Sequence, residues 1–370
     1  MRKVLFKVGL IIFGSFIGLV LIVFLTLWIL SRGSIAPFID ENGNAVNGSI
    51  SEIVRTEIGG IEQGIIIRGR SVENPVLLFL HGGPGTPAFT VSDALSLRHT
   101  EDYFVVAYWE QRGSGMSYHS AETSRSITVE QLVSDTAEVA NYLRERFGQD
   151  RIYLMGHSWG SFPGMQTIAA YPELFLAYLG VAQVAYKFES EILAHTHMAA
   201  RLAENGDRQN LQRLSEYTLN TYDDITTNRL MFRSSVLNSL GNGVIHEPFS
   251  MFRVLLWPFL TAREYTLSDK FGFAMGNLHA LASPAQVTLV RTNLMEEIVA
   301  VDVPVFFFHG VHDKQVNYEL ARQYFDILQA PSKQFFSFEN SAHSPAMEEP
   351  DMFLEFVIRY ILGFASAANK

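Results

Sequence analysis

The chain has 370 residues, 48% of them hydrophobic, so a large buried core is possible and global disorder is excluded. Its formal net charge is −10, with no basic cluster beyond the amino terminus, which argues against nucleic acid as a partner. It has no cysteine, which excludes disulfide, thiolate and cysteine–metal chemistry.

Residues 8–30, Val8 to Leu30, carry no charge. At about 1.5 Å per residue a helix of this length spans roughly 34 Å, the thickness of a bilayer core. A secretory signal has a shorter apolar region and a small-x-small cleavage site, and Ser31-Arg32-Gly33-Ser34 offers none. The expectation is an uncleaved anchor over residues 1–32, with 8–30 in contact with membrane lipid. Arg2, Lys3 and Lys7 precede the span and only Arg32 closely follows it. By the positive-inside rule this predicts a single-pass protein whose globular part is extracytoplasmic.

Residues 33–49 are polar and read as a linker. Ile50–Ile58 and Ile61–Arg68 flank Gly59-Gly60, which predicts a hairpin. Pro75–Leu80 and Tyr103–Trp109 are apolar runs expected as buried strands. Thr128, with Gln131 three residues on, has capping-box spacing. Val129, Leu132, Val133, Thr136, Val139, Ala140 and Leu143 then share one helical face, and Gly148 suits the C-terminal stop. A strand over 151–155, a helix over 161–171 and a strand over Phe175–Val181 follow. Strands fade between Tyr186 and Asn293, where Glu191–Thr221 and Leu230–Leu240 read as helical. Phe249, Phe252, Trp257, Phe259, Tyr265, Phe271 and Phe273 are expected mainly as the core of that segment. Alternation resumes with Val303–Phe308, Tyr318–Leu328, Gln334–Phe338 and Met352–Leu362. The pattern predicts an α/β fold with a mostly parallel sheet and helices on both faces. The core would be built from 50–185 and 294–370, interrupted by a helical cap over 186–293.

Gly156-His157-Ser158-Trp159-Gly160 lies between the strand over 151–155 and the helix over 161–171. That context makes Gly-x-Ser-x-Gly a nucleophile elbow, because only glycine fits where strand and helix close around a strained serine. A serine hydroxyl needs a base within hydrogen-bond reach, and the base needs a carboxylate to hold its tautomer. Asp313 follows the strand 303–308 and His343 follows the strand 334–338, so the order is serine, acid, histidine. His312 shares the acid's loop, His157 is expected to be structural, and Asp302 sits at the wrong end of its strand. His81-Gly82-Gly83-Pro84-Gly85 follows another strand, and acyl transfer needs backbone N–H groups aimed at the oxyanion. Gly83 and Trp159 are the expected donors. No Gly-Lys-Ser/Thr follows the glycines, which argues against a phosphate loop.

With Trp109-Glu110-Gln111-Arg112-Gly113-Ser114-Gly115, these motifs resemble the α/β-hydrolase superfamily. Within it they resemble the proline iminopeptidase-like branch, over about residues 50–365. The resemblance implies an α/β-hydrolase fold with an eight-stranded type of sheet and a helical cap. It implies a serine hydrolase, free of metal and cofactor, that removes the amino-terminal residue, often proline, from a short peptide or related small molecule. Glu110 departs from the aspartate usual in the family. Glu189 and Glu191, near the start of the cap, are the candidates for the carboxylates that hold the free amine. An apolar cap would favour a membrane-tethered esterase or lipase-like enzyme, and acyl transfer to an acceptor other than water would use the same residues. A non-catalytic binding protein could keep the fold, but binding alone does not demand all three of Ser158, Asp313 and His343.

Overall fold

The structure, a computed structural model, describes residues 2–119, 124–247, 249–250 and 252–363. Eight strands form one sheet: β1 (Ile50–Ile58), β2 (Ile61–Gly69), β3 (Val76–Leu80), β4 (Val105–Trp109), β5 (Ile152–His157), β6 (Phe175–Val181), β7 (Val305–Gly310) and β8 (Lys333–Phe338). Their spatial order is β1-β2-β4-β3-β5-β6-β7-β8. The hairpin β1–β2 and the β2–β4 pair are antiparallel, and every pair from β4 to β8 is parallel.

The continuous apolar runs are explained by burial on both faces. In β3, Leu78 and Leu80 pack into one core while Leu77 and Phe79 pack into the other. The first core is closed by α3 (Val129–Phe147), α4 (Ser161–Ala170) and α12 (Tyr318–Ile327), through Leu132, Phe162 and Tyr324. The second is closed by α2 (Ala88–Ala94), the helix Pro350–Phe356 and a π-helical turn over Val357–Leu362 that runs on from it. α3 begins with Thr128 accepting from Gln131 N at 3.2 Å and ends at Gly148 with φ +63°. The reciprocal half of the expected capping box does not form, because the Gln131 side chain donates to Asp135 instead.

Between β6 and β7 the chain is helical. α5 (Lys187–Glu204), α6 (Arg208–Ser215) and α7 (Thr227–Ser239) bury a small core of their own around Ala194, Met198, Leu214, Phe232 and Leu237. The continuous helix expected over 191–221 is broken at Gly206, whose φ is +69°, and Asp207 then caps α6 by accepting from Asn210 N. The segment continues as α8 (Trp257–Thr261), α9 (Leu267–Leu281), α10 (Pro284–Arg291) and α11 (Leu294–Glu297). Its aromatics divide: Phe259 and Tyr265 are buried in the second sheet core, whereas Phe252, Trp257 and Phe271 are exposed.

α1 (Arg2–Leu30) contains Phe6–Leu30, long and apolar enough to cross a membrane, with none of its most apolar window buried against the body. Just beyond it Ser31 Oγ accepts from Lys270 Nζ at 2.8 Å, and Ser34 N donates to Arg263 O at 3.1 Å. The stretch read as a linker is tied to the sheet as well, because Ala36 O accepts from both Ser51 and Arg68.

Candidate active site

β5 ends at His157 and α4 begins at Ser161, leaving a three-residue turn. Ser158 adopts φ +53° in that turn, a left-handed conformation that costs a non-glycine residue of order 1–3 kcal/mol. The flanking glycines are required by contact. A Cβ on Gly156 would lie 2.6 Å from Gly160 O, and one on Gly160 would collide with Leu80 O.

Two further loops reach Ser158 from the carboxyl ends of β7 and β8. His343 Nε2 lies 2.7 Å from Ser158 Oγ, and His343 Nδ1 lies 2.8 Å from Asp313 Oδ2. With Nδ1–H donating to Asp313, Nε2 is free to accept from the serine hydroxyl. Asp313 is fully buried, yet its Oδ1 accepts from Gln315 N at 2.8 Å and Val316 N at 2.9 Å. Burial opposes its charge, but His343 and His309, through charge and hydrogen bonding, outweigh burial and hold its pKa far below the ordinary aspartate range. The sequence reading missed one neighbour: His309, inside β7, sets its Nε2 3.2 Å from Asp313 Oδ2 and 2.9 Å from Val316 O. His157 lies beside the row, its ring centroid 5.3 Å from that of His343, and burial lowers its pKa to about 3. It is therefore neutral and packs beside His343. The expected donors are also adjacent. Gly83 and Trp159 line the same cavity as Ser158, and a Cβ on Gly82 would sit 3.2 Å from Ser158 Cβ.

The Glu110–Gln111 pair explains how the glycine loop is held. Gln111 N donates to His81 Nε2 at 3.1 Å, Gln111 Nε2 donates to His81 O at 2.9 Å, and Gln111 Oε1 accepts from Trp159 Nε1 at 3.3 Å. One side chain thus pins both the loop and the residue after the serine. Glu110 accepts from Ala88 N at 3.0 Å and Tyr265 Oη at 2.7 Å, while burial pushes its pKa up to about 8.

The cavity over Ser158 has a volume of about 670 Å³ and reaches under α7, α9 and α10. A smaller pocket of about 180 Å³ joins Ser158 and His343 to Leu95, Phe249, Val254, Leu255 and Met347. Neither Glu189 nor Glu191 is among the residues that line these spaces. Glu189 is half-buried. Glu191 is fully buried, and its Oε1 is taken by Lys187 Nζ at 2.5 Å and Arg233 Nη1 at 2.8 Å. The structure therefore brings Ser158, Asp313, His343, Gly83 and Trp159 together and leaves the two glutamates apart from them. The Lys187–Glu191 spacing of four, one helical turn, was the sequence signal for that pairing.

The family with the α/β hydrolase fold matches residues 75–350. A probable aminopeptidase, YbaC, of Bacillus subtilis is 34% identical over 316 residues, covering 84% of this chain and 96% of that one. A proline iminopeptidase of Heyndrickxia coagulans is 23% identical over 290 residues, 76% of this chain and 88% of that one. The crystal structure of a proline iminopeptidase from Mycobacterium smegmatis superposes with a TM-score of 0.61 at 18% identity, covering 86% of this chain and 100% of that one.

Proposed function

The chain belongs to the α/β-hydrolase fold family, and from that premise we propose that it is a serine hydrolase working through an acyl-enzyme on Ser158. One observation carries the reading: the continuous row Ser158 Oγ, His343 Nε2, His343 Nδ1, Asp313 Oδ2, with separations of 2.7 and 2.8 Å. As the Ser158 oxygen attacks an amide or ester carbonyl, His343 Nε2 takes its proton. The imidazolium so formed is stabilised by Asp313, whose charge is secured by two backbone amides. The Gly83 and Trp159 N–H groups receive the oxyanion; a lost donor of this kind typically costs about 10²–10³ in rate. His343 returns the proton to the leaving group, then activates the water that releases the acyl group. No step calls on a metal or cofactor.

The names of the sequence relatives make the amide a peptide bond at an amino terminus, so the first reading is an aminopeptidase of proline iminopeptidase type. In this reading residues 186–293 act as the cap that encloses the peptide. An esterase is kept as a second reading on a specific observation: among the described residues no aspartate or glutamate lines either space beside Ser158, and the smaller one is chiefly apolar. A free ammonium buried there would lack a counter-charge. The test is a kinetic comparison of aminoacyl arylamides with short-chain aryl esters, using the full chain in detergent and its Ser158→Ala variant. Turnover of either class that Ser158→Ala abolishes supports the mechanism; turnover that survives the substitution overturns it.

Residues 8–30 are the proposed single-pass anchor, with Arg2, Lys3 and Lys7 cytoplasmic and the hydrolase extracytoplasmic. In support, Phe252, Leu256 and Trp257 are exposed on the segment that packs beside the end of α1, an apolar face suited to lipid. Protease added to intact cells should then degrade the hydrolase. Protection until lysis would reverse the orientation.

A further inference from the structure

The cavity over Ser158 is walled on one side by Lys187 and Arg233. Both are more than nine-tenths buried, and among the described residues the one carboxylate within ion-pair reach of either is Glu191, which shares a single oxygen between them. Gln315 O accepts from both cations, at 3.3 Å from Lys187 and 3.2 Å from Arg233. Arg229 lies one turn before Arg233 on α7, fully buried; its guanidinium meets the His195 ring at 3.4–3.5 Å and lies 5.8 Å over the Tyr217 ring, and no carboxylate among the described residues is within ion-pair reach of it. Two cations thus pair with one carboxylate, and a third lies one helical turn away. Among the described residues, Arg233 Nε and Arg229 Nε are buried without hydrogen-bond partners, and so is Glu191 Oε2. An ion network that served only to hold α5 against α7 would not bury more positive than negative charge, since an unbalanced buried charge is destabilising. Asp313 and Asp224 contribute attraction to Lys187 and Arg229 respectively, but Asp313 is already engaged by two imidazoles and Asp224 by its own turn.

We propose that the Lys187–Arg233 wall is an anion subsite that receives a carboxylate carried by the acyl half of the substrate. This rests on the serine-hydrolase reading for its location. The leaving group is protonated by His343, which lines the smaller apolar pocket and not the cavity. The leaving group therefore lies on the apolar side, and the acyl half faces the cations. Two kinds of molecule carry such an acyl group: a peptide whose amino-terminal residue is acidic, and a half-ester or half-amide of a dicarboxylic acid.

Two matched pairs separate these sources on the full chain in detergent. One is glutaryl against valeryl p-nitrophenyl ester, and the other is α-glutamyl against α-glutaminyl p-nitroanilide. A kcat/KM at least tenfold higher for the charged member of either pair supports the subsite and identifies the source. The ratio should collapse in Lys187→Met and in Arg233→Gln, each of which leaves Glu191 with one cation, and should recover partly in Arg233→Lys. Binding gives a readout independent of turnover: glutarate should bind Ser158→Ala by calorimetry, and adding Arg233→Gln should weaken it at least tenfold. If a fluorophosphonate labels Ser158 but neither pair shows a preference and glutarate does not bind, the subsite is refuted and the hydrolase survives. If glutarate binds but Ser158 is never labelled, the subsite stands and the hydrolase reading fails.

Discussion

Asp313 and Glu191 are both sealed from solvent and both charged, but they are held in different ways. Asp313 is met by two backbone amides of the loop after β7 on one oxygen, and on the other by two imidazoles, His309 from β7 and His343 from the loop after β8. Glu191 is met by two long cationic side chains on one oxygen and, among the described residues, by no hydrogen-bond donor on the other. Neutral and backbone donors hold a carboxylate without cancelling its charge, which leaves that charge available to an imidazolium. Cations cancel the charge and, where they outnumber it, leave positive charge to spare. The first arrangement suits catalysis and the second suits recognition of an anion.

The largest expected effect tests this contrast directly. Asp313→Asn should keep the fold but lower kcat by about 10⁴, because the amide favours the wrong imidazole tautomer. Glu191→Gln should instead cost about 3–5 kcal/mol of stability in thermal melts, by leaving buried cations uncompensated, while kcat falls less than about tenfold. A kcat loss for Glu191→Gln as large as that for Asp313→Asn would erase the distinction.

Titration sharpens the contrast. The depressed pKa of Asp313 contributes stability that is present above the ordinary aspartate range and lost as pH falls toward its folded value. Glu110 has the opposite sign. Its pKa is raised from 4.5 to about 8, so its contribution is full below pH 4.5 and lost as pH rises through about 8. Glu110→Gln should therefore flatten the fall in stability between pH 5 and 8, read by denaturant melts at several pH values, and leave the acid limb unchanged. A smaller effect is expected at Lys187, which burial and the Arg233 charge bring down to about 8 against the pull of Glu191 and Asp313. Any preference for the glutaryl ester should decline severalfold above pH 8, with Arg233 preserving a remainder. A flat ratio across that range would remove Lys187 from the subsite.

The sheet was legible because its central strands are unbroken apolar runs, and Ser158, Asp313 and His343 were legible because each sits just past such a run. Boundaries moved where local chemistry intervened: Gly206 with Asp207 splits α5 from α6, and Gln131 turns to Asp135 rather than completing a capping box. His309 left no signal, since it lies within the strand and gains its role only when the next loop folds Asp313 back over it. Of the partners of Glu191, Lys187 left a signal in its spacing of four residues, but Arg233 did not. Whether a carboxylate faces a cavity or a cation depends on how α5 packs against α7, and no spacing in the sequence encodes Arg233 lying beside Glu191.

The central claim, that folding makes one hydroxyl nucleophilic, is tested most directly by locating a covalent adduct. The full chain treated with a fluorophosphonate and mapped by peptide mass spectrometry should carry one phosphonyl group, on Ser158, and His343→Ala should slow its formation by orders of magnitude. An adduct on a different residue, or equal labelling rates with and without His343, would contradict the account.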